Sequence, residues 1–385
     1  MKRNLVLLAV AMFFLNDVDA GVKAINPVPL FLIEGIGNGY SAPAVTSSRV
    51  FVTGELEGTG FLFAYDTQGS LLWKSSYGRE WAENFRGSRA SPVVADTMVY
   101  TCSGLGDIAC FGIQTGKKLW EVNMIEDLHG VNAVFGYSMP VLIENDRIYC
   151  LPGGPDTNIV CLNRFSGEII WISGGNGETP GYTSPLVIRH HDRKLLVTFS
   201  EMALLGLDAE TGALLWTYEL SLKGNLPCNQ PIYAQGFLYI VAGSGNGAVK
   251  LELLENGSQI QEIWRNPDFD TYFGGFVMIG NFLYGSADKR HLWWSIDANT
   301  GKVTGSLSFG TGATSSEGKN LVLYNQSGKV GIVRPDNGKM TLVNSFLITK
   351  GTSEHFAPPL VAGGRLFIRH GNALLVYDYQ ELLNL

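Results

Sequence analysis

Charge is scarce in this chain: 16% of its 385 residues are Asp, Glu, Lys or Arg, against a usual ~25%. With 45% apolar residues, that balance excludes a disordered chain and long solvated helices, and leaves enough hydrophobic surface for a large core. A basic surplus is also missing. The net charge is −7, so the phosphate neutralisation that nucleic-acid binding needs has no cationic face to come from. No apolar run reaches the ~20 residues of a membrane-spanning helix. Cysteines number five, none adjacent to another and none before Cys102. Of six histidines, His129, His291, His355 and His370 have no ligand-like spacing. His190 and His191, with Asp192, read as a solvated hairpin turn. No Gly-x-Ser-x-Gly nucleophile elbow is present. Gly243-Ser244-Gly245-Asn246-Gly247 is followed by no helix, so it reads as a turn and not as a phosphate loop.

Glycine is what the chain has in excess. There are 47, about 12% against a usual ~7%, and so many tight turns. At the amino terminus Lys2 and Arg3 precede the apolar stretch Leu5 to Leu15, followed by Val18-Asp19-Ala20. The pattern predicts a secretory signal peptide over residues 1–20, leaving a single domain over 21–385 that is periplasmic or secreted. No cysteine precedes Cys102 to carry a lipid, so a soluble exported protein is expected, and as a self-contained domain a monomer. In an oxidising compartment Cys102 with Cys110, and Cys150 with Cys161, are spaced to bridge neighbouring strands. They suit equally well the role of small residues in tightly packed strands, the favoured reading.

Self-similarity fixes the architecture. Leu207-Asp208-Ala209-Glu210-Thr211-Gly212 leads to Trp216. Related turns at Gly69, Gly116 and Gly167 lead to Trp73, Trp120 and Trp171, and weaker copies lie at Gly257, Gly301 and Gly338. The tryptophans are 47, 51 and 45 residues apart, a period that means propeller blades or a solenoid. Upstream of the turns sits a small residue with proline, as in Ala42-Pro43, Ser91-Pro92, Met139-Pro140, Ser184-Pro185, Gln230-Pro231 and Pro358-Pro359, ahead of two further β-rich runs. Each unit therefore reads as four short strands. In the turn, aspartate accepts backbone N–H groups, glycine supplies a positive φ, and the indole locks a blade to its neighbour. Trp73, Trp120, Trp171, Trp216 and the glycines Gly69, Gly116, Gly167, Gly212 and Gly301 are thus structural. Seven turns, a three-strand remainder from Ala357 to Tyr379 and a lone strand at Val28–Ile33 predict an all-β propeller of eight four-stranded blades, with seven as the fallback. The first strand completes the last blade and closes the ring.

The Asp-x-x-Thr-Gly-x-x-x-Trp pattern resembles the repeat of the pyrroloquinoline-quinone (PQQ) propeller superfamily, which includes quinoprotein dehydrogenases and the BamB outer-membrane assembly proteins. Arg86-Gly87-Ser88-Arg89-Ala90-Ser91-Pro92, Gly136-Tyr137-Ser138 and Gly181-Tyr182-Thr183-Ser184-Pro185 resemble exported bacterial PQQ-like propellers. The resemblance covers nearly all of the chain after about Phe31. It implies either a BamB-like scaffold or a PQQ- and calcium-dependent alcohol or sugar dehydrogenase. Dehydrogenases of that kind are longer and hold an adjacent cysteine pair over the quinone, which this chain lacks.

Propeller sites lie on the axis, where entry loops converge. The residues just ahead of the proline-containing strands are Arg86, Arg89, Tyr137, Tyr182, Asn229, Gln230, Tyr272, Glu354 and His355. Such a funnel suits a carboxylate, a sugar or a peptide end. The function expected from the sequence is a non-catalytic protein- or peptide-binding scaffold of the cell envelope, with no catalytic residue, metal or cofactor. The alternative is the PQQ- and calcium-dependent oxidoreductase.

Overall fold

The structure is a computed structural model and describes residues 25–220 and 226–384. The signal peptide expected over residues 1–20 lies outside the described residues. Eight antiparallel four-stranded sheets follow one another along the chain as blades 1 to 8. Blade 1 runs through Ala44–Val45, Arg49–Leu56, Thr59–Asp66 and Leu71–Arg79, and blade 4 through Leu186–His190, Arg193–Phe199, Ala203–Asp208 and Leu214–Glu219. Blade 8 takes three strands from the C-terminal end, Leu360–Ala362, Arg365–His370 and Ala373–Asp378, and its outermost strand, Phe31–Glu34, from the start of the fold. Phe31 pairs with Val376 and Glu34 with Ala373. The ring is the eight-bladed one, closed as the unpaired first strand implied. A short helix, Tyr379–Asn384, buries Tyr379 and Leu382 after the last strand.

Burial explains the sequence of each strand. Second and third strands lie between two neighbouring blades and are apolar on both faces, as in Val50–Val52 and Leu195–Val197, all fully buried. Outermost strands alternate, because one face looks outward. One residue before each of five tryptophans the outer strand bulges: Leu72, Leu119, Ile170, Leu215 and Ile263 are skipped in the pairing. The tryptophan that follows lies opposite Ala64, Cys110, Cys161 and Gly206 in blades 1 to 4, all small residues that leave room for an indole. This accounts for two of the cysteines. All five are free thiols, four of them buried, and Cys102 pairs with Ile108 across the strands, not with Cys110.

The indoles then reach the next blade. Trp73, Trp120, Trp171, Trp216 and Trp264 donate Nε1–H to the carbonyls of Ile113, Arg164, Ala209, Gly257 and Ala298 at 2.9–3.3 Å. Gly212 shows why the turn glycine is required: its φ is +77°, and a Cβ there would stand 2.5 Å from the Trp171 ring. Asp208 organises the same turn, its carboxylate accepting the N–H groups of Glu210 and Thr211 at 3.0 and 3.1 Å. At the closing seam Phe31 takes the indole's place and lies against Gly69 of blade 1.

Candidate functional site

The loops that enter each blade converge on the axis around a cavity of about 450 Å³. Aromatic side chains from six of these loops line it: Tyr40, Phe85, Phe135, Tyr182, Tyr272 with Phe273, and Phe356. The rings form a chain across the mouth. Phe356 meets Tyr40, Phe85 and Phe273 at centroid distances of 5.7, 5.8 and 4.8 Å, and Phe135 meets Phe85 and Tyr182 at 6.3 and 6.2 Å. Phe85 holds a φ of +50°, a left-handed conformation that a bulky side chain adopts only under constraint from its surroundings.

Three residues from the sequence analysis, Arg89, Tyr182 and Tyr272, line this cavity. Glu354 stands at its edge, accepting the Tyr40 hydroxyl at 2.6 Å. The others are engaged elsewhere. Arg86 grips the buried Glu55 carboxylate with two hydrogen bonds of 2.8 and 2.6 Å. Burial would raise the Glu55 pKa, but Arg86, the Gly58 N–H and the Asn38 amide outweigh it and hold the carboxyl below its usual range. Tyr137 is fully buried, its hydroxyl donating to the Pro152 carbonyl at 2.7 Å. Asn229 ties blade 5 to blade 6 through the carbonyls of Val241 and Thr271 and the Gly275 N–H. Gln230 donates to the Pro185 carbonyl of blade 4. His355 stacks on His370 at 3.8 Å and contacts the Tyr324 hydroxyl. Burial and the neighbouring His370 push its pKa down to about 4, so it is neutral at physiological pH. The sequence reading missed Tyr40, Phe85, Phe135, Phe273 and Phe356. The signal available was an aromatic recurring a few residues ahead of five of the six proline-containing strands.

Beneath Arg89 lies Glu80, 2% exposed. Its carboxylate accepts the Tyr77 hydroxyl and the N–H groups of Trp81 and Gly104 at 2.6–2.8 Å. Burial drives its pKa up to about 7, against these donors and the Arg89 charge. Because the folded carboxyl keeps a proton that the unfolded one has released, stability falls as pH rises from about 4.5 to about 7 and levels off above. That loss amounts to at most about 3 kcal/mol, and Glu80→Gln is expected to abolish it. Melting temperatures across that pH range check this; parallel profiles for the two proteins would show Glu80 ionised throughout.

Residues 58–306 match the family model described as outer membrane protein assembly factor BamB. The chain belongs to that family. BamB of Yersinia pestis is 22% identical over 194 residues, which span 50% of this chain and 47% of the relative, and so less than half of its length. BamB of Shewanella oneidensis is 23% identical over 298 residues, spanning 73% of this chain and 72% of the relative. A more local match, 28% over 158 residues, spans 24% of the 1-butanol dehydrogenase (quinone) of Thauera butanivorans. The solved structure of BamB from Moraxella catarrhalis superposes with a TM-score of 0.68 over 92% of this chain and 98% of that one, at 15% identity, and shows the shared fold.

The residues around the axis do not fit the dehydrogenase cofactor. PQQ carries three carboxylates, and the cavity offers one guanidinium, that of Arg89. Among the described residues no group of three or more His, Cys, Asp or Glu side chains is placed to hold a metal ion.

Proposed function

We propose that this protein is a non-catalytic docking scaffold of the bacterial envelope that takes part in outer membrane protein assembly. Family membership supports the process, and the rim of the axial mouth supports the mode. Val134 is 77% exposed, Phe85 46%, Tyr272 39% and Phe273 38%, gathered at one end of a ring most of whose other exposed apolar residues are spread over the outer strands. A contiguous apolar patch on a soluble face marks a protein-binding site.

The reading predicts that a photo-crosslinker at Val134 captures a component of the outer membrane assembly machinery, while the same group at Leu71, on an outer strand, does not. Val134→Asp should reduce folded outer membrane proteins as far as deletion does, with the melting temperature unchanged. Normal levels in that variant would refute the proposal. Titration with PQQ and calcium, followed by tryptophan quenching, is expected to give no saturable change. Saturation in the micromolar range would turn the reading towards an oxidoreductase.

A further inference from the structure

Three arginines approach the axis, and they differ in what meets their charge. Arg86 is matched by the Glu55 carboxylate. Arg369, fully buried, is surrounded by carbonyls and one hydroxyl. Arg89 lines the aromatic cavity. Its Nη2 donates to the Asn84 carbonyl at 2.8 Å and its Nε is buried without a hydrogen-bond partner. The guanidinium lies 5.6 Å from the Trp81 ring centre and feels the Glu80 charge, but forms no ion pair: Glu80 is engaged by Tyr77, Trp81 and Gly104. A guanidinium in apolar surroundings is stabilised by a carboxylate, which it holds through paired N–H donors. Tyr182, on the same wall, accepts the Phe135 N–H at 3.3 Å, which leaves its hydroxyl proton to donate.

The body of such a ligand follows from the rest of the lining. Phe85, Phe135, Phe273 and Phe356 offer ring faces and edges, which favour a flat apolar group. One cation also limits the ligand to one negative charge, because a second carboxylate would be desolvated without a partner. We propose that the axial cavity binds an aromatic monocarboxylic acid, its carboxylate on Arg89 and the Tyr182 hydroxyl and its ring among the four phenylalanines. The site shares Phe85 and Phe273 with the exposed rim, and its test stands whether or not the rim docks a protein.

Calorimetric titration with 2-naphthoate, with the neutral isostere 2-naphthalenemethanol and with benzene-1,3,5-tricarboxylate tests it on the full mature chain. The acid is expected to bind at least about tenfold more tightly than the alcohol, the worth of one charge-assisted contact, and more tightly than the tricarboxylate. Arg89→Gln should remove the preference for the acid, and Phe356→Ala should weaken acid and alcohol alike. Equal binding of acid and alcohol, preference for the tricarboxylate, or no saturation up to about 10 mM would overturn the proposal. The comparison of the three ligands on the unaltered protein decides the matter even if Arg89→Gln does not fold.

Discussion

Replacing Arg369 with alanine is expected to destabilise the protein by about 3–5 kcal/mol, from buried acceptors left without donors and the cavity that truncation opens. The side chain is 1% exposed and burial pulls its pKa down to about 10, so it remains charged at neutral pH. Its Nε donates to the Gly371 carbonyl at 3.0 Å, Nη1 to the Ser41 hydroxyl at 2.7 Å and to the Thr53 carbonyl, and Nη2 to the Gly37 carbonyl at 3.3 Å. Ser41, Thr53 and Gly37 belong to blade 1 and its entry, whereas Arg369 and Gly371 belong to blade 8, so one guanidinium stitches the two ends of the ring. Truncation leaves three carbonyls buried without donors and opens a cavity, and each unmet group costs about 1–3 kcal/mol. Urea unfolding measures the loss. Arg369→Lys should recover part of it, because an ammonium keeps the charge but has three donors in place of five. A loss below about 1 kcal/mol would mean that water replaces the side chain and that the seam is held by strand pairing alone.

Trp216→Ala should have an effect of similar size, about 3–5 kcal/mol. The indole is 8% exposed, lies over Gly206 so closely that even a methyl there would overlap it, and donates to the Gly257 carbonyl of blade 5 at 3.0 Å. Alanine would leave both a void and an unmatched carbonyl between two blades. Trp216→Phe, which keeps most of the ring and drops the N–H, should lose about 1 kcal/mol from the hydrogen bond and a smaller packing term. Denaturation midpoints for the two variants separate the contributions, and equal losses would show that the hydrogen bond carries the contact.

The repeat was legible because its physics is local. Asp208, Gly212 and Trp216 act within ten residues of sequence, and the same turn recurs at a fixed period, so blade number and ring closure follow from counting. Even the cysteines fit that logic, as small residues opposite an indole. The axis was legible only in part. Arg86 and Arg89 stand three residues apart in the same entry loop, yet one turns to Glu55 and the other to the cavity. Phe135 and Tyr137 divide in the same way between the mouth and the core. Those choices depend on partners such as Glu55 in the preceding blade and Pro152 in a loop further along, contacts that sequence periodicity does not encode. The phenylalanines at the mouth come from loops of different length and meet through space alone.

The borrowed strand of blade 8 bears on the order in which the molecule is assembled. Blades 1 to 7 each draw four consecutive strands, so each can form from its own hairpins as soon as that stretch of chain is available. Blade 8 cannot, because Phe31–Glu34, synthesised first, pairs with Ala373–Asp378, synthesised last. Until then the first strand has no partner and Arg369 has not reached Ser41 and Thr53, so folding should finish where translation began. A circular permutant opened between two other blades would make blade 8 contiguous and move that late step elsewhere in the ring, and its refolding rate would report how much of the barrier is the meeting of the two ends.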